Sequence, residues 1–183
     1  MKKQTAPQKL SEALLKLTEK KNIEKITIRE IVQECGLSSQ TFYNHFSDKY
    51  ALVLYIYESA GEGMMNRLLN EESYSYRDFI LDHLSFYAEH AVFIRNVTDN
   101  TSGRESYYVQ SSECGIRLFT RFIQTKYSKE ELSPEEKAHL RIYLFGCTEI
   151  CSYWTCHDMD LPMELIADFI VSSLPSSLRK YFE

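Results

Sequence analysis

With 183 residues, 44% of them hydrophobic and 26% charged, the chain is long enough for one sizeable domain or for a small domain joined to a larger one. Its net charge of -5 argues against a partner for nucleic acid along its whole length. No stretch approaches the ~18 apolar residues of a membrane span, and no apolar run follows the charged first residues as in an export signal, so a cytoplasmic protein without a membrane partner is expected.

The charge is unevenly spread. Residues 1–49 hold nine Lys or Arg against six Asp or Glu, a balance of +3 that leaves -8 for the remainder. A basic head on an acidic body is the asymmetry of a protein whose head alone meets a polyanion. Lys2 and Lys3, ahead of Pro7, are either phosphate contacts or a solvated end.

Thr27 followed by Glu30 is a T-x-x-E capping box, which predicts a helix from about Ile28. Ile28, Ile31, Val32 and Cys35 fall at i, i+3, i+4 and i+7 and share one face. Gly36 stands where a left-handed C-terminal residue is wanted, and Leu37 packs back on the ending helix. Ser38 or Ser39 caps a short helix through about Phe46, and Ser47 or Asp48 caps a longer one. The spacing gives a helix-turn-helix, whose second helix reads the major groove. Ser39, Gln40, Thr41 and Asn44 then face the base edges, since Gln and Asn pair with adenine and Ser or Thr with several bases. Tyr43, His45 and Lys49 lie at the edge nearest the DNA backbone, where they can contact phosphate, and the capping Thr27 and Ser38 are counted among the DNA-binding residues. Phe42 and Phe46 are expected on the buried side. Without DNA, the same pattern reads as a capped three-helix corner with a polar surface.

The run GLSSQTFYNHFSDKYAL resembles the G-x-S-x-x-T-x-Y-x-H-F-x-x-K-x-x-L signature of the tetracycline-repressor (TetR) family of bacterial regulators, and the preceding ITIREIVQECG is similar to the helix that family places before it. The resemblance covers about the first 60 residues. It implies an all-α fold, with a DNA-binding head over residues 1–50 and a larger helical body for effector binding and dimerisation over 51–183. It also implies a repressor that reads a pseudo-palindromic double-stranded operator as a homodimer and is released from it by a small-molecule effector.

Beyond the head the pattern stays helical. A connecting helix is expected from Ser47 to Asn70, with a bend or a close contact at Gly61 and Gly63. Further helices are expected over 76–90, 93–97, 106–127 and 133–156. One opened by Pro162 extends to about Ser173, and a short one follows Pro175. Asp99 to Arg104 reads as a loop. No strand pattern competes, so the whole chain is read as α.

Two C-terminal stripes, wider than a small bundle buries, suggest the dimer interface: Tyr143, Cys147, Cys151 and Trp154 on one helix, and Leu165, Phe169 and Ile170 on the next. The aromatic-rich stretch from 55 to 157 is where an effector pocket is expected, with Phe86, Tyr87, His90, Arg117, Arg121 and Tyr143 as candidates. An inward arginine there would favour an anionic effector. The segment FGCTEICSYWTCHDMDLPMELIADFI resembles a Firmicutes-type subgroup of the family's C-terminal domains, which leaves open an activator, or control by a partner protein in place of a small molecule. Cys147, Cys151 and Cys156 with His157 allow a zinc or redox reading, but their spacing is looser than C-x-x-C and packing is the simpler account. No metal or other cofactor is expected. Glycine-rich phosphate loops, H-E-x-x-H and G-x-S-x-G are absent, so an enzyme is not expected. The alternative class is a helical interaction module with a vestigial helix-turn-helix.

Overall fold

The computed structural model describes residues 4–103 and 106–182. Lys2, Lys3 and the Arg104 end of the expected loop lie outside the described residues. Among the described residues every regular element is helical. The helices are α1 (Ala6–Thr18), α2 (Ile28–Cys35), α3 (Ser39–Tyr43), α4 (Lys49–Asn70), α5 (Tyr76–Glu89), α6 (Ala91–Asp99), α7 (Tyr107–Tyr127), α8 (Pro134–Cys156), α9 (Met163–Ser172) and α10 (Ser176–Arg179), with a 3-10 turn at Ile23–Lys25.

Caps set most of these boundaries. Thr5 and Gln8 form a capping box at α1, Thr27 and Glu30 at α2, Ser75 and Asp78 at α5, and Ser133 and Glu136 at α8. Asp48 accepts from the amides of Tyr50 (2.8 Å) and Ala51 (2.9 Å), so α4 begins at Lys49. Gly36 ends α2 in the left-handed region at φ 68°, where its amide and that of Leu37 close on Gln33 and Val32.

The head buries Leu10, Leu14, Ile23, Ile26, Ile31 and Phe42 almost completely, together with Leu52 from α4. Each such side chain contributes roughly 1.5–3 kcal/mol relative to exposure. In the body α4 lies between α5 and α7, α8 packs on α7 and α6, and α9 lies across α5. Of the bend or close contact expected at Gly61 and Gly63, the close contact is present at Gly61, where a Cβ would stand 2.8 Å from Leu118 Cδ1. Gly63 has no such neighbour.

A second connection between head and body runs through α6, which extends two residues beyond the expected 93–97 at either end. The Asn96 side chain accepts from the Ile23 amide (2.8 Å) and donates to the carbonyls of Thr18 (3.0 Å) and Lys21 (2.9 Å). Asn100 joins Asn22 beside it. Next in sequence, Arg95 donates to Thr155 O (2.8 Å) and Asp158 (2.9 Å) at the end of α8. Adjacent residues of one helix therefore hold the turn that carries the head and the helix that lies deepest in the body. Asn96→Ala is expected to cost about 2 kcal/mol for three lost bonds. Amide exchange at Ile23 should quicken in this variant, and unchanged exchange there would rule out the link.

Candidate nucleic-acid interface

The reading helix is short and set by its own side chains. Ser38 accepts from the Thr41 amide (3.1 Å) and its hydroxyl meets that of Thr41 (2.9 Å). Phe42 points inward, fully buried, and stacks at a tilt on Phe46. Ser39, Gln40, Tyr43, Asn44 and His45 are all exposed, and Thr41 is half-buried. Gln40 Nε2 donates to Asn44 Oδ1 at 3.0 Å, so the two amides expected to read bases lie side by side one turn apart. Tyr43 is 57% exposed, with its ring held edge-on to Phe42. Thr27 is exposed at the start of α2, and its oxygen is engaged in its own cap with Glu30. Helix α3 ends at Tyr43, earlier than the expected Phe46, because the chain turns back toward the cap of α4.

Lys49 departs from its expected place. Its ammonium is partly desolvated and donates to the carbonyls of Glu24 (2.8 Å) and Ile26 (2.9 Å), fastening the 3-10 turn to the start of α4. Burial also holds its pKa below the ordinary lysine value. Two further cations of the head, Lys25 and Arg29, are exposed and make no ion pair among the described residues. Lys16 and Lys21 are instead joined to Glu34 and Glu30. Lys49→Ala is accordingly expected to lower stability by about 1–2 kcal/mol. A variant of parental stability whose salt slope alone had flattened would restore the phosphate role.

The interface expectation needs correcting. Tyr143, Cys151, Trp154 and Ile170 are each at most 6% exposed, buried within their own chain, and Cys147 is half-buried. Trp154 Nε1 donates to Leu161 O (2.8 Å), closing the loop between α8 and α9. The outward apolar face is formed instead by Ile142 (71% exposed), Tyr153, Leu165 and Phe169 (48%). Ile142, Gly146, Ile150, Phe169 and Pro175 line an apolar groove of about 430 Å³ there. Of the expected interface residues, Leu165 and Phe169 remain outward, and Tyr143, Cys147 and Ile170 line the same groove from below the surface, whereas Cys151 and Trp154 are enclosed.

The pocket expectation also changes. Arg117 and Arg121 are exposed and bridge α7 to α4 through Glu58 (3.5 Å) and Glu62 (2.9 Å). Two cations four residues apart meet two carboxylates four residues apart, so neither enters the interior and the anionic-effector expectation loses its support. Phe86 and His90 pack edge-on to each other, half-buried, and Tyr87 is fully buried. Tyr143 lies deeper: its hydroxyl donates to Ile170 O (2.8 Å) and meets that of Tyr76 (2.9 Å). The internal cavity lies between α4, α5, α7 and α8, walled by Tyr57, Tyr76, Phe79, His83, Phe119 and Cys147, and holds about 40 Å³. Burial lowers the His83 pKa to about 4, so this imidazole is uncharged at neutral pH.

Burial also pushes the Cys147 thiol up to about 12 and raises that of Cys151 well above its usual value. A protonated, enclosed thiol is a poor nucleophile and a poor metal ligand, as the packing account requires.

Comparison with known proteins follows the same division. The family model for bacterial regulatory proteins of the tetR family matches residues 10–56, which span α1, α2, α3 and the start of α4. No curated protein matches the sequence. Among solved structures the fold is similar to the dihydroxyacetone kinase operon activator DhaS, at TM-score 0.63 and 20% identity over 97% of this chain and 98% of that one. It is also similar to the fatty acid degradation regulator FadR from Bacillus halodurans, at 0.60 and 14% over 98% and 99%. The transcriptional regulator FadR from Bacillus subtilis in complex with stearoyl-CoA gives 0.56 and 16% over 92% and 97%. At these identities the structural likeness is one of fold alone. Residues 10–56 thus match the family model for bacterial regulatory proteins of the tetR family, and the chain as a whole has a fold similar to that of solved regulators of this kind.

Proposed function

We propose that the chain is a sequence-specific transcriptional regulator, divided near residue 50 into a DNA-binding head and a dimerising body. It occupies a pseudo-palindromic operator as a homodimer and leaves it when an effector binds the body. The observation that carries the reading is the exposed Gln40–Asn44 pair on a helix fixed by its cap and by the buried Phe42. Paired amides at one groove-facing edge suit adenine, and their mutual bond is one that a base edge replaces. Lys25, Arg29 and Tyr43 flank them and supply the phosphate side of the contact.

Release follows from geometry. The separation of two heads in a dimer must match half-sites about 34 Å apart. Both α4 and the Asn96 link tie head position to the body, so a change of packing around α4, α6 and α8 alters that separation. The effector shifts the equilibrium only by as much as it prefers the mismatched arrangement.

The test is selection of bound genomic fragments with the purified protein, followed by binding of Gln40→Ala to the sequence recovered. A short pseudo-palindrome is expected, and the variant should lose about 1–3 kcal/mol of discrimination at one base pair of each half-site. Equal discrimination by parent and variant would remove Gln40 from the reading surface.

One observation favours a second reading, in which a partner protein is the effector and the regulator activates. The cavity enclosed between α4, α5, α7 and α8, of about 40 Å³, is far below the roughly 300 Å³ at which ligand pockets begin, and the larger hollow, about 530 Å³, lies instead where the start of α4 faces Asn100 and Tyr107. Similarity to an operon activator is in keeping with it.

A further inference from the structure

The small cavity is bounded by rings that are themselves held in place from behind. Tyr76 and Phe119 line it and also grip Phe182, which follows α10: ring centres are 4.6 Å from Tyr76 and 5.4 Å from Phe119. Phe182 also lies flat on Phe122, at 5.5 Å and 12° between planes. A single side chain from the segment after α9 thus completes an aromatic box whose other walls belong to α5 and α7.

That side chain is attached in a way that lets it leave. The residue before it is fixed: Tyr181 donates its hydroxyl proton to Glu136 Oε1 (2.6 Å), takes a bond from Lys129 Nζ (2.9 Å), and accepts at its carbonyl from Tyr127 (2.9 Å). Phe182 itself is half-buried and is held by ring contacts alone, apart from its backbone amide on Arg179 O (2.8 Å). Its ring can rotate out without disturbing the Glu136 anchor.

We propose that Phe182 is an internal stand-in for the effector, a wedge that keeps the α4–α5–α7–α8 chamber closed until an uncharged aromatic molecule takes its seat. The proposal rests on the effector-release reading above. The seat fixes the ligand class. It holds a phenyl ring now; no Lys or Arg lines the adjoining cavity, and the cation beside the seat, Lys126, lies with its Nζ 5.2 Å from the centre of the Phe122 ring. His83 stays neutral there, so an ionised ligand would lose its hydration without a counter-charge. Tyr143 donates to Ile170 O, which leaves Tyr76 as donor in the bond between the two phenols and leaves the Tyr76 oxygen with acceptor capacity. A ring bearing one hydroxyl or N–H donor therefore fits best.

Benzyl alcohol is the probe, titrated into the full-length parent, Phe182→Ala and Phe182→Trp. Calorimetry is expected to show at least tenfold tighter binding to Phe182→Ala than to the parent. The emission of the Phe182→Trp chain should shift to the red on titration, while that of the parent, from the enclosed Trp154, should not. Equal affinity in parent and Phe182→Ala, or binding to Phe182→Trp with no change in emission, would overturn the wedge, as would no binding to any of the three. Should Phe182→Ala fold poorly, the fluorescence titration still decides. DNA affinity is measured with the same probe on the fragment recovered by selection. A red shift with unchanged DNA affinity would keep the wedge and reject effector release, whereas DNA release without the shift would do the reverse.

Discussion

Phe169→Glu is expected to leave the protein folded but monomeric, and to lower its affinity for the selected palindrome at least a hundredfold. Phe169 is 48% exposed on the isolated chain and projects beside Ile142, which is 71% exposed. A glutamate there stays hydrated in the monomer and adds little folding cost. In a two-fold dimer the same patch meets its own copy, so two carboxylates are brought into an apolar, partly desolvated seam. Phe169 is itself a wall of the groove along Ile142, Gly146, Ile150 and Pro175, so the substitution also removes an apolar wall from that face. Splitting the dimer removes the second half-site contact, and linkage of two binding heads commonly multiplies affinity by about 10²–10⁴. Sedimentation and DNA binding check the result together. A Phe169→Glu protein that remained dimeric would place the interface elsewhere, and a monomer with parental DNA affinity would mean that single heads suffice.

The head was legible in the sequence because its boundaries are written in short local signals. Thr27–Glu30, Gly36, Ser38 and Asp48 each act on backbone groups within four residues, and each stands where the pattern placed it. Helix α1 carries equally local signals, Thr5–Gln8, Pro7 and the spacing of Leu10, Ala13 and Leu14, although the reading passed over them. What failed depended on tertiary partners. Helix α8 carries apolar residues on more than one face, with Leu140, Tyr143, Leu144, Cys151 and Trp154 inward and Ile142, Ile150 and Tyr153 outward or partly so. Periodicity finds such stripes but does not say which one meets its own chain and which a second copy. Arg117 and Arg121 were misplaced because their partners, Glu58 and Glu62, lie on a helix brought alongside only by packing. Lys49 was misplaced because its acceptors are backbone carbonyls, which leave no mark in side-chain patterns. The Asn96 link and the Phe182 wedge are of the same kind: one polar and one apolar side chain whose roles come wholly from residues far away in sequence.

Glu136→Ala is expected to be the most destabilising of the substitutions considered, at about 3 kcal/mol, which in a chain of this size lowers the melting temperature by roughly 6–12 °C. The carboxylate is 5% exposed and receives Lys129 (2.8 Å), Lys180 (3.1 Å), the Tyr181 hydroxyl (2.6 Å) and the Ser133 amide (2.7 Å). Removing it leaves two cations, a phenol and a helix-capping amide without their common acceptor. Although burial alone would raise its pKa, these donors hold it far below the usual carboxylate value of 4.5. The sign of the pH dependence follows. The folded state binds the proton less readily than the unfolded chain, so the stabilisation is complete above the unfolded value and is lost as pH falls from about 4.5 toward the folded one. Parent stability should therefore decline on acidification below that point, and the decline should be shallower in Glu136→Ala. The same substitution frees Tyr181 and with it the anchor of Phe182, so the variant should also bind benzyl alcohol more tightly than the parent. An acid profile parallel to that of the parent would show that Glu136 contributes through packing and not through its charge.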